Sequence, residues 1–306
     1  MKASLKLGRS SESVKMEKFY QWGTPEDLDD FNYWTKAINE IDKHQSAILE
    51  KVEIGLILAA GEGRRVQEVY KVPKPAIKIK GTQLWRHSRK AFSVGSHPLL
   101  VIQGKHRLFL EQTEDVAILE LDKLTKGQAD TAKIGIEQLN CDLTDPVTIL
   151  SSDCVLPYNS VSKAEELIED GADVVVWTAV GYPPASQSQN DFSWVSVENE
   201  EVKSALHKTF PKENLHSYEL ITGNFSFKSK ALLSKMLDDL LKSESMKINE
   251  EFYLDSIIEL ALKQNLTIAR IRIPDFISIG TLNEIKTYNY WNDNFLKVEK
   301  ESIIDE

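Results

Sequence analysis

From Glu53 onward the chain alternates short, β-branched apolar runs with stretches whose apolar residues recur every three to four positions. The runs at 54–58, 99–103, 116–121, 147–150 and 174–180 predict buried strands, several of them apolar on both faces. Residues 82–93, 128–140, 162–170 and 229–242 predict the intervening helices. Such alternation implies right-handed βαβ crossovers, hence an α/β fold with a mainly parallel sheet and helices on both of its sides. Between Phe192 and Phe227 the apolar runs shorten and alternate, which predicts a small antiparallel extension. A helix at 252–263, a strand at 267–273 and a helix from Thr281 complete the domain.

The first fifty residues read differently. A polar, basic stretch precedes a helix predicted from Pro25 to about Glu50, so residues 1–50 form an N-terminal helical appendage to a domain at 51–306. The stretch from Lys2 to about Met16 is expected to be poorly ordered, and the helix to pack through an apolar face of Leu28, Phe31, Trp34 and Ile38. Thr24-Pro25-Glu26-Asp27 is a strong helix start: a hydroxyl N-cap, a proline whose missing N–H costs nothing there, and acids against the positive end of the dipole. The same start recurs at Thr281, where Glu284 completes a capping box. Segments 23–34 and 280–291 share Gly-Thr and Asn-Tyr-Trp in register. The appendage therefore resembles the closing helix of a preceding repeat, followed by one complete repeat.

Charge and composition narrow the function. With 306 residues there is enough chain for one large α/β domain and an appendage. Lys and Arg number 37 against 47 Asp and Glu, a net charge of −10 that disfavours nucleic acid and anionic bilayers as partners. The apolar fraction of 42% is ordinary, no apolar run reaches the ~18 residues of a membrane span, and the N-terminus lacks the apolar centre of a secretory signal. Cys141 and Cys154 are too few for a disulfide framework or a cysteine zinc site, which points to a reducing, cytoplasmic setting.

The chemistry concentrates after the first predicted strand, in Ile57-Leu58-Ala59-Ala60-Gly61-Glu62-Gly63-Arg64-Arg65, with Pro73-Lys74-Pro75 close behind. Glycines let backbone amides approach an anion, and Arg65 and Lys74 supply mobile positive charge to the same loop, as a triphosphate cradle requires. A dinucleotide-binding loop would want a small residue where Val66 stands, and the proline motif interrupts the helix it would open. A P-loop is excluded because no Gly-Lys-Ser/Thr follows the glycines.

At these two motifs the sequence resembles the sugar-phosphate nucleotidyltransferases, or nucleoside-diphosphate-sugar pyrophosphorylases, over residues 54 to 296. The resemblance implies a Rossmann-like fold of the nucleotide-diphospho-sugar transferase type, with Leu58, Ala59, Ala60, Gly61 and Gly63 on the nucleotide, and Arg65 and Lys74 as catalytic cations. Thr125-Lys126-Gly127-Gln128-Ala129 resembles the family's nucleobase loop, with Gly127 against the base. Ser152-Asp153, after an apolar strand, resembles the Gly-Asp that holds the catalytic magnesium; a carboxylate there faces the crevice at the carboxyl ends of parallel strands. Lys208, in His207-Lys208-Thr209-Phe210-Pro211, resembles the lysine that contacts the sugar phosphate, and Gly223, in Thr222-Gly223-Asn224-Phe225, lies on the strand lining the sugar pocket. Glu251-Phe252-Tyr253-Leu254-Asp255 resembles the acidic helix start of members acting on cell-surface polysaccharide precursors, which makes Asp255 a substrate-binding candidate.

Three positions depart from that pattern. Arg64 replaces a small hydroxyl residue, His207 stands where an acid is usual, and Ser278, like Gln21 in the first copy, stands where a second metal-binding acid is common. The metal then has fewer protein ligands, or another acid such as Asp255, or the domain has lost activity. The resemblance thus implies a magnesium-dependent transfer of a nucleotidyl group from a nucleoside triphosphate to a sugar phosphate or similar phosphorylated alcohol. The alternative is a catalytically inactive nucleotide- or sugar-binding regulatory domain. A metal-dependent glycosyltransferase would want Asp-x-Asp at Asp153, but residue 155 is Val. Further partners would be a second copy of the chain or a preceding nucleotidyltransferase domain.

Overall fold

In the computed structural model, residues 23–41, 51–187, 190–211, 215–248 and 250–302 are described; the side chains of Arg65, Gln187, Leu215 and residues 294–302 lie outside that description. So do the predicted disorder at 2–16 and the predicted helix beyond Ile41. The chain divides into two compact units, 1–32 and 33–306.

In the smaller unit, residues 23–32 contain the first turns of α1 (Pro25–Ile41). The Asp27 amide donates to Thr24 Oγ1 at 3.2 Å, the hydroxyl N-cap read from the sequence, and Asp27 Oδ2 in turn accepts from the Gly23 and Thr24 amides at 3.2 and 3.0 Å. Leu28 is 46% exposed and does not join the apolar face expected of it.

The larger unit begins with the remaining turns of α1. Trp34, Ala37, Ile38 and Ile41, at helical spacing, are all buried, and Tyr33 donates its hydroxyl to the Phe276 carbonyl at 2.7 Å. β1 (Gly55–Ala59) then leads into α2 (Arg64–Tyr70). A two-residue hairpin, β2 (Lys78–Ile79) and β3 (Thr82–Gln83), precedes α3 (Leu84–Arg89), so the helix predicted over 82–93 is shorter. β4 (Leu99–Gln103), β5 (Ala117–Leu121), α4 (Gln128–Gln138), β6 (Val147–Ser151) and β7 (Cys154–Val155) follow. Next come α5 (Ser160–Glu169), β8 (Val174–Ala179), α6 (Pro183–Gln187), β9 (Trp194–Glu198), β10 (Glu201–Leu206) and β11 (Tyr218–Phe227). The unit ends with α7 (Lys230–Lys242), α8 (Ile257–Lys263), β12 (Ile268–Arg272), β13 (Ile277–Ser278) and α9 (Leu282–Ser302).

Among the described residues nine strands form one sheet in the order β10-β9-β11-β6-β1-β4-β5, with β8 on β11 and β12 on β8. The run β6-β1-β4-β5 is parallel, while β11 is antiparallel to β6, β8 and β9, and β9-β10 is the expected antiparallel extension. Successive side chains of one strand enter opposite cores. Ile57, Leu100 and Leu150 pack with Trp85, Phe92, Val161 and Trp34, whereas Leu56, Val101 and Ile149 pack with Ala132 and Ile136 of α4 and Leu237 of α7. Burial on both faces is what the apolar runs required. The carboxyl ends of β1 and β6 lie side by side, with Leu58 paired to Ser151, and open the crevice where the chemistry-bearing loops meet.

Candidate functional site

The glycine loop leaves β1 at Ala60 and enters α2 at Gly63, whose φ of +56° is a left-handed conformation that a side chain would strain. A Cβ on Gly63 would also stand 3.3 Å from Lys74 Cβ. Pro73 and Pro75 fix the approach to the short turn Lys74–Ala76, and Pro75 is buried, so the backbone carrying Lys74 is held against the loop. Lys74 Nζ pairs with Asp153 Oδ2 at 2.6 Å, their side chains only 21% and 23% exposed.

Asp153 sits just beyond β6, where three further groups position it. Ser151 Oγ donates to Asp153 Oδ1, the Ser151 amide donates to Asn224 Oδ1 at 2.9 Å, and Asn224 Nδ2 donates to Thr222 Oγ1 at 2.9 Å. Burial acts most strongly on both charges, pulling the Lys74 ammonium down and pushing the Asp153 carboxyl up. The pair's mutual attraction outweighs it, so Lys74 ends above its ordinary value and Asp153 below, and both are ionised at neutral pH.

Two cavities meet at this pair. One, about 360 Å³, is lined by Leu58, Ala59, Ala60, Gly61, Gly63 and Gly127; the other, about 330 Å³, by Lys208, Gly223, Asp255, Ser278 and Glu284. Lys74, Asp153, Ser151, Gln128 and Tyr253 face both. The sequence-predicted residues therefore converge, split between two adjoining compartments, except Arg65. Its backbone lies in the first turn of α2, and its side chain is outside the described residues.

Gly127 has a role the sequence did not reveal. Its φ is +121°, and a Cβ there would fall 2.6 Å from the Phe252 carbonyl oxygen and 2.7 Å from its nitrogen. The Phe252 amide donates to the Lys126 carbonyl at 2.9 Å and the Ala129 amide to the Phe252 carbonyl at 3.1 Å, so the two loops are clipped backbone to backbone. That clip carries Tyr253 and Asp255 to the second cavity, and α8 starts later than predicted because 254–256 form a tight turn instead. Lys208 Nζ lies 5.2 Å from the centre of the Tyr253 ring and donates to the Asp191 carbonyl. Gly223, at φ +78°, marks the register shift of β11 against β8, and Asp255 is buried at the cavity wall.

Glu284 is the residue that sequence reasoning passed over for chemistry, because its capping role explained it fully. The capping is real: the Thr281 amide donates to Oε2 at 2.8 Å and the Glu284 amide to Thr281 Oγ1 at 3.2 Å. Its Oε1 also accepts from the Tyr182 hydroxyl at 3.3 Å. Burial first, and Asp153 second, push its carboxyl above the ordinary value. A Cβ on Gly280 would stand 3.2 Å from Asp153 Oδ2, 3.2 Å from Glu284 Oε2 and 3.5 Å from Ser278 Oγ. Glycine thus keeps open a nest of hard oxygen donors, the donor type magnesium takes, and Lys74 already presents one cation to it. Among the described residues no cluster of three or more His, Cys, Asp or Glu is placed to hold a metal ion. The buried Cys154 thiol is pushed up to about 12 and is no nucleophile.

Comparison with known proteins agrees with this architecture. The MobA-like NTP transferase domain family matches residues 55–214, just over half of the chain. The bifunctional protein GlmU of Bartonella bacilliformis is 25% identical over 237 residues, covering 75% of this chain and 50% of the relative. GlmU of Campylobacter fetus is 24% identical over 234 residues, covering 74% and 50%. The chain spans about half the length of these relatives. The nucleoside-diphosphate-sugar pyrophosphorylase of Vibrio cholerae superposes with a TM-score of 0.58 at 19% identity, over 77% of this chain and 98% of that one. The inositol-1-phosphate CTP transferase of T. maritima superposes with a TM-score of 0.58 at 17% identity, over 78% and 95%. These two likenesses establish the fold. The mainly parallel, helix-flanked sheet expected from the sequence is the fold observed. Among the described residues no helix is long and apolar enough to cross a membrane.

Proposed function

Because the chain belongs to the MobA-like NTP transferase domain family, we propose that it moves a nucleotidyl group from a nucleoside triphosphate to a phosphorylated sugar or polyol. Pyrophosphate is the second product, and the nucleotide-activated sugar serves as a precursor of cell-surface polysaccharide. The observation that carries this reading is the Lys74–Asp153 pair at the joint of two compartments, one sized and lined for a nucleotide, the other polar and bounded by Lys208 and Asp255.

An acceptor phosphate oxygen attacks the α-phosphorus in line, a new P–O bond forms, and the bond to the β-phosphate oxygen breaks with its electron pair leaving on pyrophosphate. The attacking oxygen is already anionic near neutral pH, so no general base is required, and the protein's task is alignment and charge stabilisation. The 61–63 amides and Arg65 take the β- and γ-phosphates, and Gly127 borders the nucleobase. Lys74 swings from Asp153 to the α-phosphate and the incoming acceptor. Lys208 takes the acceptor's phosphate, and Gly223 and Asp255 border its hydroxylated ring. A magnesium ion held at Asp153 would supply the remaining positive charge against the α-phosphate.

The inactive regulatory reading is not favoured, since the loop, the lysine and the carboxylate all converge on one crevice. Incubating the full chain with each nucleoside triphosphate, magnesium and a panel of sugar 1-phosphates and inositol 1-phosphate should release pyrophosphate with at least one pair. No release with any pair removes the enzymatic reading.

A further inference from the structure

We infer that Glu284 supplies the second carboxylate of the cation site, in place of the acid absent at Ser278. The inference rests on the nucleotidyltransferase reading for the identity of the ion, but its grounds are geometric. Asp153 Oδ2, Glu284 Oε2 and Ser278 Oγ surround one small space whose floor is Gly280, and that space stays open only while residue 280 has no Cβ. Each of the two carboxylate oxygens stands 3.2 Å from the point a Gly280 Cβ would occupy, so both border the same small space.

Capping alone does not account for this glutamate. A capping box needs an acceptor at this position, and glutamine serves as well as glutamate. Asp27, which caps α1 with the same hydrogen bonds, does so while partly exposed; Glu284 is 4% exposed. Among the described residues Glu284 makes no ion pair, whereas Asp153 is paired with Lys74. Burying an unpaired carboxylate is costly. A divalent cation between Asp153 and Glu284 removes that cost and frees Lys74 to move to the phosphates.

The test titrates Mn²⁺ alone into the full chain and follows loss of the free-ion paramagnetic resonance signal. Glu284→Gln keeps the capping hydrogen bonds and should keep the melting temperature, yet weaken Mn²⁺ binding at least tenfold. Adding Ser278→Asp to that variant should restore most of the affinity. Gly280→Ala leaves Glu284 in place but fills the nest, and should also weaken Mn²⁺ binding at least tenfold; it decides the matter if Glu284→Gln melts early. Mn²⁺ binding unchanged in Glu284→Gln, or unchanged in Gly280→Ala, overturns the inference. Pyrophosphate release by the native chain with Mn²⁺ separates this from the broader reading. Release together with Glu284-independent binding removes the second carboxylate alone, whereas Glu284-dependent binding without release leaves the cation site standing and removes the enzyme.

Discussion

At the scale of single residues, the Lys74–Asp153 pair is where stability and chemistry are most closely tied. Its charged state is favoured in the fold despite burial, which dictates a pH window. Asp153 lies below its ordinary 3.8, so its contribution is complete above that pH and is lost as pH falls through the lower folded value. Lys74 lies above its ordinary 10.5, so its contribution is complete below that pH and is lost as pH rises through the higher folded value. The melting-temperature difference between the native chain and the double variant Lys74→Met, Asp153→Asn should therefore be constant across neutral pH and change towards both ends. A difference that varies through pH 6–8 would assign the dominant titration to other groups. Lys74→Ala should cost roughly 2–4 kcal/mol in the barrier, the scale of one electrostatic stabiliser, read as a loss of kcat in direct pyrophosphate measurement. An unchanged kcat would take Lys74 out of the site. Lys74 was legible in the sequence because two prolines and the preceding glycine loop frame it, and Asp153 because it directly follows an apolar strand. Ser151 and Tyr182 were not, because a serine at a strand end and a buried tyrosine carry no local pattern, and only the fold brings them to Asp153 and Glu284.

At the scale of elements, the apolar runs located the strands to within a residue or two, since a strand buried on both faces has little freedom in sequence. Helix ends were less legible where tertiary bonds decide them. α3 stops at Arg89 because that side chain closes the following loop. Its guanidinium donates to the carbonyls of Phe92 and Ser93 at 3.2 Å, Val94 at 3.2 Å, Ser96 at 2.6 Å and Asp115 at 3.1 Å. A sequence reading sees only a basic residue in an amphipathic stretch. Arg89→Met preserves much of the side-chain volume but strips donors from five carbonyls, some of them buried, and should destabilise the fold by about 3 kcal/mol in denaturant titration. A loss under about 1 kcal/mol would show that water replaces the guanidinium without penalty. The two helix starts, Thr24 with Asp27 and Thr281 with Glu284, make the same reciprocal capping bonds.

At the scale of the whole chain, the division into units 1–32 and 33–306 falls inside one helix, and this has a measurable consequence. Sequence periodicity could mark 25–41 as amphipathic but could not show which turns belong to which unit, because burial depends on residues such as Tyr182 and Phe276 far along the chain. Trp34 is 0% exposed and lies 6.2 Å, centre to centre, from Tyr182, whose own ring packs on Phe276 at 5.4 Å. Ala37, Ile38 and Ile41 join the same apolar cluster, which continues through Ile277 and Ile279 on either side of Ser278. The α1 turns from Tyr33 to Ile41 thus support, from behind, the segment that carries Ser278 and Gly280 to the crevice. A chain starting at residue 33 retains all of these contacts and should lose less than about 1 kcal/mol. A chain starting at residue 42 loses a buried tryptophan and two isoleucines, and should lose more than the roughly 3–5 kcal/mol of a single large-to-small tryptophan substitution. Urea titration of the two truncations measures both quantities, and pyrophosphate release by the shorter chain reports whether the Ser278–Gly280 segment keeps its place. Equal stability of the two truncations would mean that the Trp34 turn only covers a core already complete without it.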